Sequence, residues 1–214
     1  MCTVSWALHH DVYDLYFNRD EKKDREAASP LAVRERHGVR VAAALDGRAR
    51  GTWLAVNEFG LATGILNAYP ATPLMKNGCY ESRGRLVLEL ASETSPASLE
   101  ARLASFDGAA WRPFVLFWLA PGTPVRSRIW DGASCGPFRG GQPEPPITTS
   151  SVKPDRVRAS REAVYHRLAE EHGPGDSSWL PRYHRSHDPQ RGMFSVCMHR
   201  DDAETRSFSA VHVD

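Results

Sequence analysis

Short segments rich in β-branched and aromatic residues dominate the first third of the chain. Thr3 to Leu8 and Val12 to Phe17 lie on either side of a polar turn at residues 9–11, which predicts a hairpin. Further segments of this kind are Val39 to Leu45, Thr52 to Val56 and Leu61 to Leu66. Because Asp46-Gly47 and residues 57–60 supply turn chemistry between them, the pattern predicts an antiparallel meander.

Helical spacing replaces this alternation after residue 80. One predicted helix carries an apolar face made of Leu86, Val87, Leu90 and Ala91. A second begins at Ser95-Pro96, a favourable cap and first helical residue, and repeats apolar residues at 99, 103 and 106. A third begins at Pro154 and runs to about His172, and its arginines Arg156, Arg158, Arg161 and Arg167 are expected on a solvated surface.

The remaining segments complete a predicted α+β fold. Phe114 to Leu119 is continuously apolar, which is typical of a strand buried on both faces, and with Val125 to Trp130 it is expected to begin a second sheet. Gly132 to Pro146 is rich in glycine and proline and predicts a loop that lines a pocket. Met193 to His199 and Arg206 to Val213 predict a closing hairpin. We therefore expect one domain, residues 1–214, built as a four-layer αββα sandwich of two antiparallel sheets.

Composition narrows the function classes. Lys+Arg 27 against Asp+Glu 26 leaves a net charge of +1, so a nucleic-acid partner is not expected. The start of the chain lacks the features of a signal peptide, and no segment reaches membrane-spanning length. Four scattered cysteines, without a C-x-x-C pair, suggest neither a disulfide scaffold nor a zinc ribbon. These features favour a cytoplasmic protein.

Cys2 carries the most informative candidate chemistry. Removal of the initiator Met1 would leave one residue with both a thiol and a free α-amine, whose pKa values lie near ~8.5 and ~7.7–8.0. The amine could then accept the thiol proton without a lysine or histidine base. The alternative is that Cys2 is a small buried hydrophobe at the start of a strand.

A polar tetrad follows the second predicted strand, at Asn18-Arg19-Asp20-Glu21. A hairpin would bring it back beside Cys2, where the positive charge of Arg19 would lower the thiol pKa and Asp20 would hold the α-ammonium. The alternative is a solvent-facing ion cluster of little energetic consequence.

Several motifs together resemble the NRDE family, also called the transport and Golgi organisation protein 2 family. They are Met1-Cys2-Thr3, the tetrad at 18–21, Gly51-Thr52-Trp53-Leu54-Ala55, Asn57, Gly60, Leu66-Asn67 and Ser82 to Val87. The N-terminal strand pair and Leu66-Asn67 are also similar to the choloylglycine hydrolase group of N-terminal nucleophile hydrolases. That resemblance implies hydrolysis of a non-peptide linear amide through an acyl-enzyme on Cys2, with a small acyl or amide substrate and no cofactor.

The resemblance also implies roles for individual residues. Cys2 would be the nucleophile, Arg19 and Asp20 would orient and charge-balance it, and Asn67 would donate a hydrogen bond to the oxyanion. From the residues alone, a turn residue is the preferred interpretation of Asn67, in Asn67-Ala68-Tyr69-Pro70.

The resemblance to choloylglycine-type hydrolases is weaker at the second oxyanion donor and at the substrate-binding residues. Choloylglycine-type hydrolases have a second asparagine where this chain has hydroxyls, so Ser150 or Ser151 would replace it, or the oxyanion hole would be incomplete. Asn18 is expected to help bind substrate, and a second active-site arginine would be Arg182 or Arg185.

Two further hypotheses concern ligands. Cys197 and His199 share a strand face downstream of His184 and His187, but their spacing matches no common zinc pattern and no metal site is predicted. The family resemblance also implies an alternative function, a non-catalytic carrier in haem or lipid-related trafficking, for which His184, His187 or His199 would be axial ligands. The oligomeric state is left open.

Overall fold

The computed structural model describes residues 1–69, 80–138 and 141–214. Within these residues the chain forms two antiparallel sheets and a few helices, so the predicted α+β class is confirmed. The residues group into two compact units, one made of Met1–Arg25 with Glu144–Asp214 and the other of Glu26–Pro143. Cys79 lies outside the described residues. A single domain over 1–214 stays a prediction.

The first unit contains a four-stranded sheet. Its strands, in spatial order, are β10 (Ile147–Thr149), β1 (Cys2–His9), β2 (Val12–Lys22) and β11 (Ala203–Val213). Two helices belong to the same unit, α3 (Pro154–His172) and α4 (Leu180–Arg185). The sheet therefore joins the first strands of the chain to the last one.

β2 is longer than its apolar pattern predicts. The strand continues through the polar tetrad to Lys22 because β1 pairs with one of its edges and β11 with the other. The tetrad therefore lies within a central strand and not after its end, and Asn18, Arg19 and Asp20 are all buried.

The second unit is built on a seven-stranded meander. Its strands, in spatial order, are β3 (Ala32–Arg36), β4 (Val39–Ala43), β5 (Leu54–Asn57), β6 (Ala62–Asn67), β7 (Phe114–Leu119), β8 (Arg126–Trp130) and β9 (Cys135–Pro137). Its helices are α1 (Arg83–Leu90) and α2 (Pro96–Ala104), as the helical spacing predicts. Ser95 caps α2 by accepting a hydrogen bond from the Ser98 main chain.

Three predictions about strands are wrong. β7 and β8 do not begin a second sheet, because β7 pairs with β6 and extends the existing meander. The glycine- and proline-rich loop contains the short strand β9, which pairs only with β8 among the described strands. Met193 to His199 is irregular chain: the expected hairpin reduces to a bridge between His199 and Glu204 because β11 takes β2 as its partner.

Two motif glycines in the second unit meet at close range. A Cβ atom added to Gly51 would lie 2.5 Å from the carbonyl carbon of Gly84. The neighbouring Thr52 N–H donates to the Gly84 carbonyl oxygen at 3.0 Å. Glycine at both positions therefore lets the start of α1 pack directly on the chain that leads into β5.

Within the described residues, no helix is both long and apolar enough to cross a membrane.

Candidate functional site

Cys2 begins β1 between two other strands. In the sheet register its Cα lies opposite Arg19 of β2 and opposite Thr149 of β10. Directly paired residues of antiparallel strands project from the same face, so all three side chains belong to one side of the sheet. The hairpin thus brings Arg19 beside Cys2, and β10 adds a threonine that the sequence patterns do not indicate.

Met1 is tied to the main chain of Asp20. The Asp20 N–H donates to the Met1 carbonyl oxygen at 3.0 Å, and the Met1 amino group lies 3.4 Å from the Asp20 carbonyl oxygen. The Met1 side chain is buried with Met198 and Ala203, and its sulfur lies 2.7 Å from the Ser150 hydroxyl, which also lies 2.6 Å from the Val152 carbonyl oxygen. The residue that precedes Cys2 therefore occupies a defined niche.

The Cys2 thiol is buried, with 7% of the residue exposed. Burial raises its pKa above the ordinary value, and the Asp20 carboxylate acts in the same direction. The terminal ammonium, a hydrogen bond from the Asp20 main chain and the Arg19 guanidinium oppose this rise in pKa. With Met1 in place, the thiol is therefore predominantly protonated at neutral pH.

Asp20 is held by a buried arginine from α3. Arg161 Nη1 and Nη2 each donate to Asp20 Oδ2 at 3.2 Å, and both side chains are fully buried. Arg161 Nη1 also donates to the Thr3 hydroxyl at 2.6 Å, and the Thr205 hydroxyl donates to Asp20 Oδ1 at 2.6 Å. The carboxylate is thus fixed by charge-assisted hydrogen bonds on both oxygens.

The expectation that Arg161 is a solvated helix charge is wrong. Arg161 stands four residues after Val157 and three before Val164, both of which are buried, so it occupies the inward stripe of α3. A charge on that stripe is tolerated because Asp20 supplies a counter-charge and Thr3 accepts a further hydrogen bond, while Nε has no partner among the described residues. An arginine in register with an apolar stripe is the sequence signal that could have identified it. Arg156 and Arg167 are exposed as expected.

Asn18 serves a structural network. Its Nδ2 donates to the carbonyl oxygens of His184 and Val196 at 2.8 and 3.1 Å, while its Oδ1 lies 3.1 Å from His184 Nδ1. His184 Nε2 lies 2.8 Å from the Ser5 hydroxyl. Burial lowers the pKa of His184 to about 3, so the ring is neutral. Both of its nitrogens are engaged, so axial ligation by His184 would break a buried hydrogen bond.

The predicted oxyanion donors occupy three different settings. Asn67 ends β6 in the second unit, where its Nδ2 lies 3.4 Å from the Tyr69 hydroxyl. Ser150 is buried beside Met1, and Ser151 is exposed. The Thr149 hydroxyl is buried and, among the described residues, has no hydrogen-bond partner. Thr149 is therefore a donor beside Cys2 that the sequence interpretation missed.

Arg182 and Arg185 are both exposed residues of α4. Arg182 lies 4.0 Å from Glu171, and Arg185 stacks over the Phe208 ring with 5.0 Å to its centroid. The arginine that pairs with Asp20 is Arg161. A role in substrate binding for the two α4 arginines therefore stays a prediction.

A cavity of about 290 Å³ lies at the far end of β1 in the same unit. Trp6, His9, Tyr165 and Trp179 line it, together with residues 173–177. It belongs to the end of the strand opposite Cys2, and none of the described residues between 132 and 146 lines it. The pocket expected from the glycine- and proline-rich loop therefore stays a prediction.

Comparison with solved structures finds similar chains at low identity. Penicillin V acylase from Agrobacterium tumefaciens is 14% identical, with a TM-score of 0.48 over 78% of this chain and 57% of that one. Two variant structures of conjugated bile acid hydrolase from Clostridium perfringens are 12% identical, with TM-scores of 0.47 over 75% and 76% of this chain. The chain spans 57% of the length of each of these proteins.

Among curated protein sequences no match is found. The model of one protein family, Transport and Golgi organisation 2, matches residues 1–123, which include Cys2, the tetrad of β2 and the Gly51 and Gly84 motifs. This match covers more than half of the sequence and confirms the resemblance seen in the motifs. The chain therefore belongs to the Transport and Golgi organisation 2 family.

Proposed function

We propose that the protein is a cysteine hydrolase that cleaves a non-peptide linear amide through an acyl-enzyme on Cys2, once Met1 has been removed. One observation carries the proposal: the main chain of Asp20 contacts the residue before the thiol and the thiol itself. Loss of Met1 would remove the carbonyl oxygen that accepts from the Asp20 N–H. It would also leave an α-amine on Cys2, the residue that carries the nucleophile.

The reaction follows from these groups. The α-amine of Cys2 accepts the thiol proton, and the sulfur bonds to the amide carbonyl carbon. As the tetrahedral intermediate collapses, the carbon–nitrogen bond breaks and the leaving amine takes the proton from the α-ammonium. Water then gives a proton to the same amine and its oxygen bonds to the thioester carbon. The carbon–sulfur bond breaks, the acid leaves, and the α-ammonium returns its proton to the sulfur.

Charged neighbours would favour this chemistry after processing. Arg19 lies directly across from Cys2, and its guanidinium favours the thiolate. Asp20 is held by Arg161, so its main chain and carboxylate have a fixed position beside the new amine. This matters because a nucleophile and its base must be held in reacting geometry for an efficient attack.

Oxyanion stabilisation is assigned to hydroxyl and amide donors. The Thr149 hydroxyl lies opposite Cys2 with its donor unused among the described residues. The Ser150 hydroxyl is a second candidate, which would have to turn from the Val152 carbonyl oxygen at 2.6 Å in order to donate to an oxyanion. The donor role that the family resemblance implies for Asn67 stays a prediction. Removal of one working oxyanion donor typically lowers the rate by about 10²–10³-fold.

The test compares electrophile labelling and turnover of a panel of acyl amides. Intact mass first establishes whether Met1 is absent. The processed wild type should be labelled once at Cys2 and hydrolyse at least one amide, whereas Cys2→Ala should do neither. Cys135→Ala is the matched control, because Cys135 is a half-buried thiol whose pKa is also raised by burial.

A chain extended before Met1 supplies the second comparison. It keeps the thiol and lacks the α-amine, so it should be labelled slowly and should not turn over substrate. Equal labelling of wild type and Cys2→Ala, or full activity of the extended chain, would rule out the proposed mechanism. Thr149→Val should lower turnover while leaving the rate of thiol labelling within about threefold of wild type.

A further inference from the structure

Three metal-ligating side chains meet in the first unit, in the chain that precedes β11. His187 Nε2 lies 3.0 Å from His199 Nε2, and Cys197 Sγ lies 3.7 Å from the same His199 nitrogen. One ligand atom from each residue lies within 4.8 Å of the other two. We propose that His187, Cys197 and His199 bind one transition-metal ion of the Zn²⁺ class, with a fourth coordination position open to water or a small ligand.

Main-chain hydrogen bonds explain why these residues meet. Cys197 and His199 are two residues apart, and their side chains lie together with Sγ 3.7 Å from Nε2, while Met198 between them is fully buried beside Met1. The Cys197 N–H donates to the carbonyl oxygen of Ser186 at 2.9 Å. That bond holds the next residue, His187, beside the cysteine.

Hydrogen bonds within residues 192–199 position two of the three ligands, Cys197 and His199. The His199 N–H donates to the Gly192 carbonyl oxygen at 3.0 Å, and the buried Ser195 hydroxyl lies 2.9 Å from the same oxygen. The Ser195 hydroxyl also lies 2.6 Å from the Cys197 carbonyl oxygen. These contacts fix the main chain on either side of Cys197, so two of the three ligands are positioned before any ion binds.

The spacing of the ligand atoms fits a tetrahedral ion. Zinc bonds of about 2.0 Å to nitrogen and about 2.3 Å to sulfur place ligand nitrogens about 3.3 Å apart and nitrogen and sulfur about 3.5 Å apart. The distances in the structure are 3.0 Å between the two Nε2 atoms and 3.7 Å from nitrogen to sulfur. These two pairs need side-chain movements of a few tenths of an ångström to admit the ion, and the third pair, Cys197 with His187, lies within 4.8 Å.

The donor set selects the class of metal. Imidazole nitrogen and thiolate sulfur suit Zn²⁺ and its neighbours in the first transition series, whereas Mg²⁺ and Ca²⁺ prefer oxygen ligands. His187 is exposed, and Cys197 and His199 are half-buried, so an ion can reach the cluster from solvent. Three protein ligands with an open position are typical of zinc sites that bind a substrate or water.

Arg191 contacts one of the three ligands, His199. Its guanidinium lies 3.3 Å from His199 Nδ1, and a guanidinium can only donate, so Nδ1 acts as the acceptor. His199 then carries its proton on Nε2 and donates it to His187. A metal ion at Nε2 takes the place of this shared proton, which passes through solvent to Nδ1, so the imidazole stays neutral. The Cys197 thiol releases its own proton to solvent as the sulfur binds the ion. Arg191 must then move away, so it opposes metal binding.

Cobalt titration of the metal-free protein tests the site, because Co²⁺ substitutes for Zn²⁺ and is visible by absorbance. We expect one Co²⁺ per chain, with visible bands of tetrahedral intensity and a sulfur-to-metal charge-transfer band, all displaced by Zn²⁺. Cys197→Ser should lose the charge-transfer band. Because even outer-shell partners change metal affinity by about 10–100-fold, His187→Ala should weaken binding by at least about 100-fold.

Three further variants test whether the bound ion lies at this cluster. Cys2→Ala and Cys135→Ala should keep the full cobalt spectrum, which excludes the other described cysteines as the sulfur ligand. Arg191→Ala should bind Co²⁺ about threefold more tightly or better, because a nearby positive charge is removed. His187 is exposed, so its loss should leave the circular dichroism spectrum unchanged. A charge-transfer band that persists in Cys197→Ser, or wild-type affinity in His187→Ala, would overturn the proposal.

Discussion

Replacement of Arg161 tests the buried ion pair that holds Asp20. Arg161→Met keeps most of the side-chain volume and removes the charge and its donors. Asp20 then loses two hydrogen bonds of 3.2 Å, and the Thr3 hydroxyl loses a partner at 2.6 Å. The carboxylate retains the Thr205 hydroxyl but has no counter-charge at that position.

The expected loss of stability follows from burial. Removing one partner of a buried ion pair costs about 3–5 kcal/mol because the other charge is left uncompensated. Arg158, one turn earlier on α3, pairs with Asp155 at 3.1 Å with 42% of its side chain exposed. Pairs of that kind contribute about 0–1 kcal/mol, so Arg158→Met is the matched control.

Urea unfolding followed by tryptophan fluorescence measures the difference. Arg161→Met should lower the free energy of unfolding by about 3–5 kcal/mol, and Arg158→Met by less than about 1 kcal/mol. Adding Asp20→Asn to Arg161→Met should recover part of the loss, because the stranded charge is gone. Equal destabilisation by the two arginine variants would refute the reasoning that Arg161 compensates a buried carboxylate.

Three other expectations follow from the same contacts. Arg19→Ala should slow electrophile labelling of Cys2 at neutral pH and recover as pH rises, because Arg19 lowers the thiol pKa; an unchanged rate–pH curve would give Arg19 a purely structural role. His184 has a pKa of about 3 when folded against 6.5 ordinarily, so only the unfolded chain gains its proton as pH falls below about 6.5. Between pH 7 and 5 the free energy of unfolding should therefore drop by about 2 kcal/mol more in the wild type than in His184→Gln, as measured by urea unfolding at each pH. Gly84→Ala should lower the free energy of unfolding by about 1–3 kcal/mol in the same assay, because the added Cβ would meet the main chain at Gly51. Wild-type stability of this variant would show that the close approach can relax.

Local patterns account for the elements that were predicted correctly. β1, α1, α2 and α3 each have an apolar period of their own, and Ser95 and Pro154 mark where two of the helices begin. The nearness of Arg19 to Cys2 was also predictable, because a tight turn fixes the register of the two strands it joins. None of these inferences needs a contact between distant parts of the chain.

Pairing between strands was predictable only where a short turn connects them. β7 follows two helices, and its apolar run indicates burial on both faces without identifying a neighbour, so its pairing with β6 could not be derived. β10 carries only three strand residues, yet it brings Thr149 opposite Cys2 from the far side of the sequence. Such pairings depend on tertiary packing, which periodicity does not encode.

The sequence by itself determined the candidate nucleophile, the strand pair that carries it, the three long helical segments and the family to which the chain belongs. The apolar stripe of α3 indicates that Arg161 faces inward, but only the tertiary structure decided that it pairs with Asp20 and that His187 meets Cys197 and His199. The physical reason is that a charged or polar side chain becomes buried only where partners from elsewhere in the chain satisfy it. Asp20 and Arg161, the two residues of the ion pair, are 141 residues apart in the sequence. Their contact is therefore specified by packing rather than by local pattern.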